Sequence, residues 1–503
     1  MDVDEIRRVG RGLRAYLKEF SDCFGRCDTE SYLGVYVRGQ QSDLQRKSAE
    51  PMALLAGIPP RSLQAFLGLL YWDEERMVNR LQEIVVRDHS HPFAIGLVDE
   101  TGCPKKGRHT ACVQRQWCGN TGKTDNCVTS VHLGYAAGRF HCLLDSDLFL
   151  PESWAADLER RRRVGIPEGA THRKKWQIGL AQIERALGNG IRVAAWTFDE
   201  GYGDSYAFLD TLDRWGQTYV GEVSSDFSGW ASYPKILHRA TPQDMRSGGG
   251  PRRWARLAKS AAPVSEVRHL LRWSPSFREQ PWTPIHVKEG EAGPLVREVK
   301  AIRFWMHRKG LPTRAHWLLV ARNPEEPDRV KYFVSNAPGG TPLEWLVYVA
   351  YSRWPIEQCF KEEKDELGFD HFEVRGWRAI HRHMYLTQVS HLYLNRMRSA
   401  LVGSEREREA AGLFSPAGGR RRSAGLPGGQ PDAEPGPGCP GGLVAGPAFR
   451  LAHAKTHPGN RGLANQLPAV QKHRSQSLSR EENPPTTPGL GHRDRTNPHL
   501  CWK

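Results

Sequence analysis

The chain has 503 residues, 39% of them hydrophobic, with a formal net charge of +15 and a pI of about 9.4. That length allows about three domains, and that charge makes a polyanion, above all a nucleic acid, the first partner to consider. No apolar run approaches the ~20 residues of a bilayer span and the chain opens Met-Asp-Val-Asp-Glu, so neither a membrane protein nor a secreted one is expected; the ten cysteines are expected as thiols in a cytoplasmic protein.

Residues 1–88 predict helices. Ile6, Leu13, Leu17 and Phe20 recur at near-helical spacing, and Leu63, Phe66, Leu67 and Leu70 do so more regularly. Between them, Tyr32–Lys47 mixes basic, aromatic and apolar residues. One reading is a helical DNA-end-binding domain that holds phosphates through Arg38, Arg46, Lys47 and Arg61; the other is a bundle with a solvated basic face.

From 89 to 225 the pattern turns to short strands. Phe93-Ala-Ile-Gly-Leu-Val98 reads as a buried strand ended by Asp99, with Glu100-Thr-Gly as a turn. Ala111–Trp117, Val128–Tyr135 and Arg139–Leu144 follow as strands. Trp176, Leu180, Ile183 and Leu187 mark a helix face that stops at Gly188-Asn-Gly190. Ile191–Phe198 is a further strand, ended by Asp199 and followed by Glu-Gly-Tyr-Gly203, and Ser205–Trp215 and Thr218–Val223 give the next helix and strand. A three-strand meander, a helix and a further strand, with acids on the first and fourth strands, is the order of a ribonuclease-H-like fold. Each Asp alone is more often a turn or cap residue, but an acid at a buried strand end is costly unless a cation or hydrogen bonds compensate it.

Two patterns in this stretch carry less. Gly119-Asn-Thr-Gly-Lys-Thr124 lacks the glycine that a phosphate loop needs five residues before Gly122, where Trp117 stands, so no nucleotide cofactor is expected. Cys103, His109, Cys112, Cys118 and Cys127 contain no close Cys-x-x-Cys pair and do not read as a zinc site.

Residues 226–312, rich in Trp, Arg, Pro and Ser and including Gly248-Gly-Gly250, predict a β-rich insertion. Its Trp230, Trp254, Trp273 and Trp282 either pack a small core or stack on bases. The mixed core resumes over 313–403, with strands at Ala315–Ala321 and Arg329–Val334 and a helix from Thr341-Pro-Leu-Glu. A long amphipathic helix then runs through Trp377, Ile380, Met384, Val389 and Leu392.

Between those helices lies Tyr351-Ser-Arg-Trp-Pro-Ile-Glu357-Gln-Cys-Phe-Lys-Glu-Glu-Lys364. With Pro355 in the first turn of a helix, Glu357 and Lys364 project two turns apart from one face, and Arg353 precedes Glu357 by four residues. A carboxylate so flanked can hold a metal ion while the cations hold phosphate; an exposed helix with i,i+4 pairs is the plainer reading. With Asp99 and Asp199, Glu357 makes an Asp, Asp, Glu cluster suited to in-line displacement at a phosphodiester. Two Mg²⁺ ions about 3.5–4 Å apart, or Mn²⁺ in their place, would lower the pKa of the attacking oxygen and neutralise charge.

Residues 404–503 lose periodicity and predict a disordered Gly/Pro/Arg-rich tail, read either as out-of-frame translation or as a basic DNA-binding tail. Residues 410–503 carry 12 Lys/Arg against 5 Asp/Glu, which leaves 59 against 51 upstream, so the charge argument is moderate for the rest of the chain.

Taken together, several motifs resemble a known family. They are Tyr36-Val-Arg-Gly-Gln-Gln-Ser-Asp-Leu44, Trp72-Asp-Glu74, Val98-Asp-Glu-Thr-Gly102, Lys105-Lys-Gly-Arg-His109, Val113-Gln-Arg-Gln-Trp-Cys-Gly119, Phe198-Asp-Glu-Gly-Tyr-Gly203, Ser352-Arg-Trp-Pro-Ile-Glu-Gln-Cys-Phe360 and Gly368-Phe-Asp-His-Phe-Glu-Val-Arg375. From about Tyr32 to Met397 the chain is similar to DDE transposases of bacterial insertion sequences, in the group with a Tyr-Arg-Glu-Lys signature and the branch named for insertion sequence 701. The resemblance implies an α/β protein with a ribonuclease-H-like mixed-sheet core interrupted by a β-rich insertion. It implies that Asp99, Asp199 and Glu357 bind the metals, with Arg353 and Lys364 as the signature cations and Tyr351 and Trp354 beside the DNA. The signature tyrosine stands three residues before the Arg; here Ala350 holds that place and Tyr351 is two before. The implied partner is double-stranded DNA, both inverted-repeat ends and target, bound by a homodimer. A remnant that only binds the ends and a stand-alone nuclease are the competing readings.

Overall fold

Hydrophobic spacing and helix starts shape the first part of the chain. The computed structural model describes residues 3–238, 255–290 and 293–402, a mixed α/β protein. The expectations for Trp254, for Gly248-Gly-Gly250 and for the 404–503 tail lie outside the described residues. Helices span Val3–Lys18, Cys27–Gln40, Ala49–Leu55, Pro60–Gly68 and Glu74–His89. Pro60 sits in the first turn of its helix, and Asp73 caps the next by accepting the Arg76 N–H at 2.8 Å. Tyr36, Leu63, Phe66 and Trp72 are buried in one core with Leu386, Val389 and Leu392 of the long Trp377–Val402 helix. Arg382 fastens the two parts together: its buried guanidinium lies 4.3 Å from the Trp72 ring and donates to the carbonyls of Phe66, Leu70 and Trp72 at 3.1, 2.7 and 3.1 Å.

The first sheet contains β1 (Ile95–Pro104), β2 (Gln114–Cys118), β3 (Lys123–Ala137), β4 (Phe140–Leu148) and β5 (Ala195–Phe198). Long β3 runs antiparallel to β1, β2 and β4, while β5 lies parallel on the other edge of β1. The Lys175–Gly188 helix connects β4 to β5. After the Tyr206–Arg214 helix, β6 (Val220–Val223) approaches β5 through a parallel bridge between Trp196 and Tyr219. Four antiparallel strands precede the parallel one, so Asp199 follows the fifth strand rather than the fourth, in a mixed sheet consistent with the ribonuclease-H-like expectation. One detail differs: β1 continues through Glu100, Thr101 and Gly102, read from sequence as a turn, because β3 pairs with it as far as Cys127. Tertiary pairing here overrides a local turn signal. Ala111–Val113, likewise, lies before β2 rather than within it.

The second sheet is built from β6, β7 (Ser228–Trp230), β10 (Ser265–Glu266), β11 (Thr283–Gly290), β12 (Gly293–Arg308), β13 (Leu311–Asn323) and β14 (Glu326–Ser335). Its order is β10-β7-β12-β13-β14-β6, with β11 also on β12, while β8 (Ile236–Leu237) and β9 (Arg256–Leu257) pair separately. The strands expected to resume the first sheet after residue 312 therefore lie in the second. Lys309 and Gly310 have φ of 47° and 81° and close a two-residue hairpin, which obliges β13 to pair with β12. Trp230 is buried and donates to the Ala262 carbonyl at 2.9 Å, Trp282 stacks with Arg322 at 4.0 Å, and Trp273 is exposed. Helices Leu343–Ala350 and Trp354–Asp365 precede the long last one. Among the described residues no helix is long and apolar enough to cross a membrane.

Candidate active site

Strand register brings the two aspartates together. Val98 and Phe198 are direct partners in the parallel β1–β5 pair, so Asp99 and Asp199 are the next residues on strands about 4.8 Å apart. Asp199 also caps the short Glu200–Gly203 helix, its Oδ1 accepting the Gly201 N–H at 3.0 Å. That helical turn needs Gly203 for a reason the sequence does not show. A Cβ there would sit 1.8 Å from the carbonyl oxygen of Glu222 in β6, so the glycine serves close approach rather than a left-handed turn.

Strand alternation then sorts the neighbours of Asp99: Thr101 shares its face and Glu100 takes the other. The Trp354–Asp365 helix, with Pro355 in its first turn, packs over the Asp99 face. Arg353 at its start bridges two carboxylates, one Nη bonded to Asp99 Oδ2 and the other 2.6 Å from Glu357 Oε1. Lys364, two turns after Glu357, donates to Thr101 Oγ1 at 2.7 Å. On the far face Glu100 accepts from the Tyr202 hydroxyl at 2.9 Å and pairs with Lys175. Glu100, Thr101, Lys175 and Tyr202 were not anticipated; Thr101, two residues beyond Asp99, and the doubled acid in Val-Asp-Glu-Thr-Gly were the signals available.

The electrostatics are those of a cluster short of positive charge. Asp99 is 7% exposed, and burial pushes its carboxyl up to about 7, with Arg353 opposing and the charges of Asp199 and Glu100 adding. Asp199 rises to about 6, from burial first and the Glu100 charge second, again against Arg353. Burial pulls on Arg353 the other way, but Asp99 and Glu357 hold its pKa above the usual value. Arg353 is thus the internal counter-cation of the cluster. Asp99, Asp199 and Glu357 offer oxygen donors only, which suits a hard cation such as Mg²⁺ or Mn²⁺.

The remaining sequence candidates lie elsewhere. Arg38 and Arg61 are exposed in the N-terminal part, and exposed Arg46 pairs with Glu373 at 2.6 Å. Lys47 does not stay with them. It is buried, its ammonium donates to the Glu366 carbonyl, and burial lowers its pKa. A lysine at that point satisfies a carbonyl at the C-terminus of the Glu357 helix, so it is not available to DNA phosphate. Tyr351 is half-buried, 5.7 Å from the Phe333 ring and 5.2 Å from the Arg297 guanidinium. Trp354 is 53% exposed, with the Lys288 ammonium 5.1 Å from its ring.

Comparison with known proteins agrees with the motif reading. A family model described as "DDE superfamily endonuclease" matches residues 19–294, more than half of the chain, including Asp99 and Asp199 but stopping before Glu357. The chain is also 25% identical over 344 residues to a protein of Microchaete diplosiphon named "Probable transposase for insertion sequence element IS701". That alignment covers 67% of this chain and 75% of the relative.

Proposed function

The chain belongs to the DDE superfamily endonucleases, and from that premise we propose that it is a transposase that binds the inverted-repeat ends of its own insertion sequence and cuts and rejoins DNA strands there. The observation that carries the reading is the in-register pair Asp99 and Asp199, with Asp99 and Glu357 held on one guanidinium.

In this reading Asp99, Asp199 and Glu357 hold two Mg²⁺ ions, with Mn²⁺ as a substitute. Bound metal supplies Lewis acidity that makes a water or sugar hydroxyl a better nucleophile and neutralises the leaving oxygen. The protein's own cations do the rest. The planar fork of Arg353 matches two phosphate oxygens, so it can exchange its carboxylate partners for the scissile phosphate. Lys364, oriented by Thr101, offers a point charge on the same helix face. Tyr351 and Trp354 flank the start of that helix, where a half-exposed ring can pack on the DNA. Arg38, Arg46 and Arg61 in the 1–88 segment contact end phosphates, which positions the duplex more than it reads sequence. Two ends must be brought together, so a homodimer in the DNA complex belongs to the proposal, acting in the cytoplasm at the nucleoid.

The test is incubation with duplexes carrying the terminal repeat or a scrambled repeat in Mg²⁺. Cleavage confined to the true end supports the transposase. Binding without cleavage favours an inactive remnant, and cleavage of both duplexes favours a stand-alone nuclease.

A further inference from the structure

Beyond the face that carries Glu357, the Trp354–Asp365 helix presents a second set of metal-ligating side chains. Cys359 and Glu363 are one turn apart, and both are buried, as are His141 of β4 and His391 of the last helix. We propose that Cys359, His141, His391 and Glu363 form a structural site for one zinc ion, separate from the carboxylate cluster and formed from softer donors.

Ligand atoms of His141, Cys359 and His391 all lie within 4.8 Å of one another. Tetrahedral zinc, with Zn–N about 2.0–2.1 Å and Zn–S about 2.3 Å, holds its ligands roughly 3.3–3.8 Å apart, so movements of about 1 Å bring these three to zinc, while Glu363 lies outside that 4.8 Å group and adjoins it through His391. Glu363 is the independent pointer to a ligand. It is 1% exposed, and among the described residues neither carboxylate oxygen has a hydrogen-bond partner. Nδ1 of His391, likewise without a hydrogen-bond partner among the described residues, is 3.6 Å from Glu363 Oε1. Buried polar groups are nearly always satisfied, and a cation between two facing orphans would satisfy both.

The neighbouring acid has the opposite character, which fixes the roles. Glu362 Oε2 is 3.1 Å from His141 Nε2 and 2.8 Å from His391 Nε2, while Oε1 accepts from Gln358 at 2.9 Å and Arg398 at 2.7 Å. An ionised carboxylate only accepts, so His141 Nε2 donates to it and Nδ1 is the ring nitrogen left over; His391 Nε2 also lies 2.8 Å from the Asn395 amide nitrogen, and its Nδ1 is the atom that faces Glu363. This is the outer carboxylate that orients metal-bound histidines. One thiolate and one carboxylate also balance a divalent ion, leaving a buried site of no net charge. Thiolate with imidazole favours zinc over Mg²⁺. An ion there would tie the Glu357 helix to β4 and to the last helix, whether or not the chain acts as a transposase.

The test is cobalt substitution in the full-length protein, stripped of metal and shown to be folded by circular dichroism. We expect one Co²⁺ per chain with tetrahedral d–d absorption and a thiolate-to-cobalt charge-transfer band. Zn²⁺ should displace it, Asp99→Asn should retain it, and Cys359→Ser should lose the charge-transfer band. Glu363→Gln, a near-isosteric change, should weaken Zn²⁺ uptake in competition with a chelator. A folded wild-type protein without the thiolate band, or a band unchanged in Cys359→Ser, overturns the site. Should Cys359→Ser not fold, unchanged Zn²⁺ uptake by Glu363→Gln overturns the four-ligand assignment.

Discussion

Replacing Asp99 by Asn should stabilise the metal-free protein above pH 7 even though it removes a partner of Arg353. The carboxyl is raised from an ordinary 3.8 to about 7, with the attraction of Arg353 already acting against burial. A group with a higher pKa in the folded chain binds more protons there between those two values. Stability therefore falls as the pH rises from about 4 to about 7, and the loss is complete above it. At about 1.4 kcal/mol per decade, ionised Asp99 costs up to about 4 kcal/mol, which Asn, resembling the neutral acid, avoids. For about 400 residues unfolding at about 2.1 cal/mol/K each, this is a Tm rise of up to about 5 °C. Thermal melts in chelator at pH 4.5 and pH 8 measure it. Asp99→Asn should melt above wild type at pH 8, with the gap closing at pH 4.5, and Mg²⁺ should raise the Tm of wild type alone. A variant that melts lower than wild type at pH 8 would mean that the Asp99–Arg353 pair is stabilising as it stands, and the cluster would have no need of a metal.

Three further substitutions probe the same helix and strands. Arg353→Lys keeps the charge but cannot bridge Asp99 and Glu357, and single-turnover cleavage of end DNA should fall by about 10–100-fold. Lys364→Ala should lower DNA affinity and reduce the slope of log K against log salt by about 1, read from anisotropy titrations across a salt series. Gly203→Ala forces a Cβ to 1.8 Å from the Glu222 carbonyl unless the backbone shifts, which should cost about 1–3 kcal/mol in denaturant unfolding and displace Asp199.

What the sequence revealed follows from how local each signal was. An acid directly after an apolar β run marks a strand end, and that singled out Asp99 and Asp199; their register, Val98 opposite Phe198, is a pairing that no local pattern encodes. Arg353, Glu357 and Lys364 were legible as a set because helical spacing fixes a face. The membership of β13 and β14 was not, since alternation says which residues are buried but not which sheet buries them. The hairpin at Lys309-Gly310 carried that information in two residues. Lys47 reads as a surface cation among basic neighbours, and only its partner Glu366, 319 residues along the chain, shows that its amine points inward. Cys359 and Glu363 were hidden in the same way, because His141 and His391 come from other elements.

The central claim is that Asp99, Asp199 and Glu357 act together on DNA, and cleavage of the terminal repeat by Asp199→Asn beside wild type tests it most directly. With equal binding of the two proteins to the duplex, the account predicts Mg²⁺-dependent nicking at the repeat boundary by wild type and none by Asp199→Asn. Nicking by Asp199→Asn at the wild-type rate would contradict it.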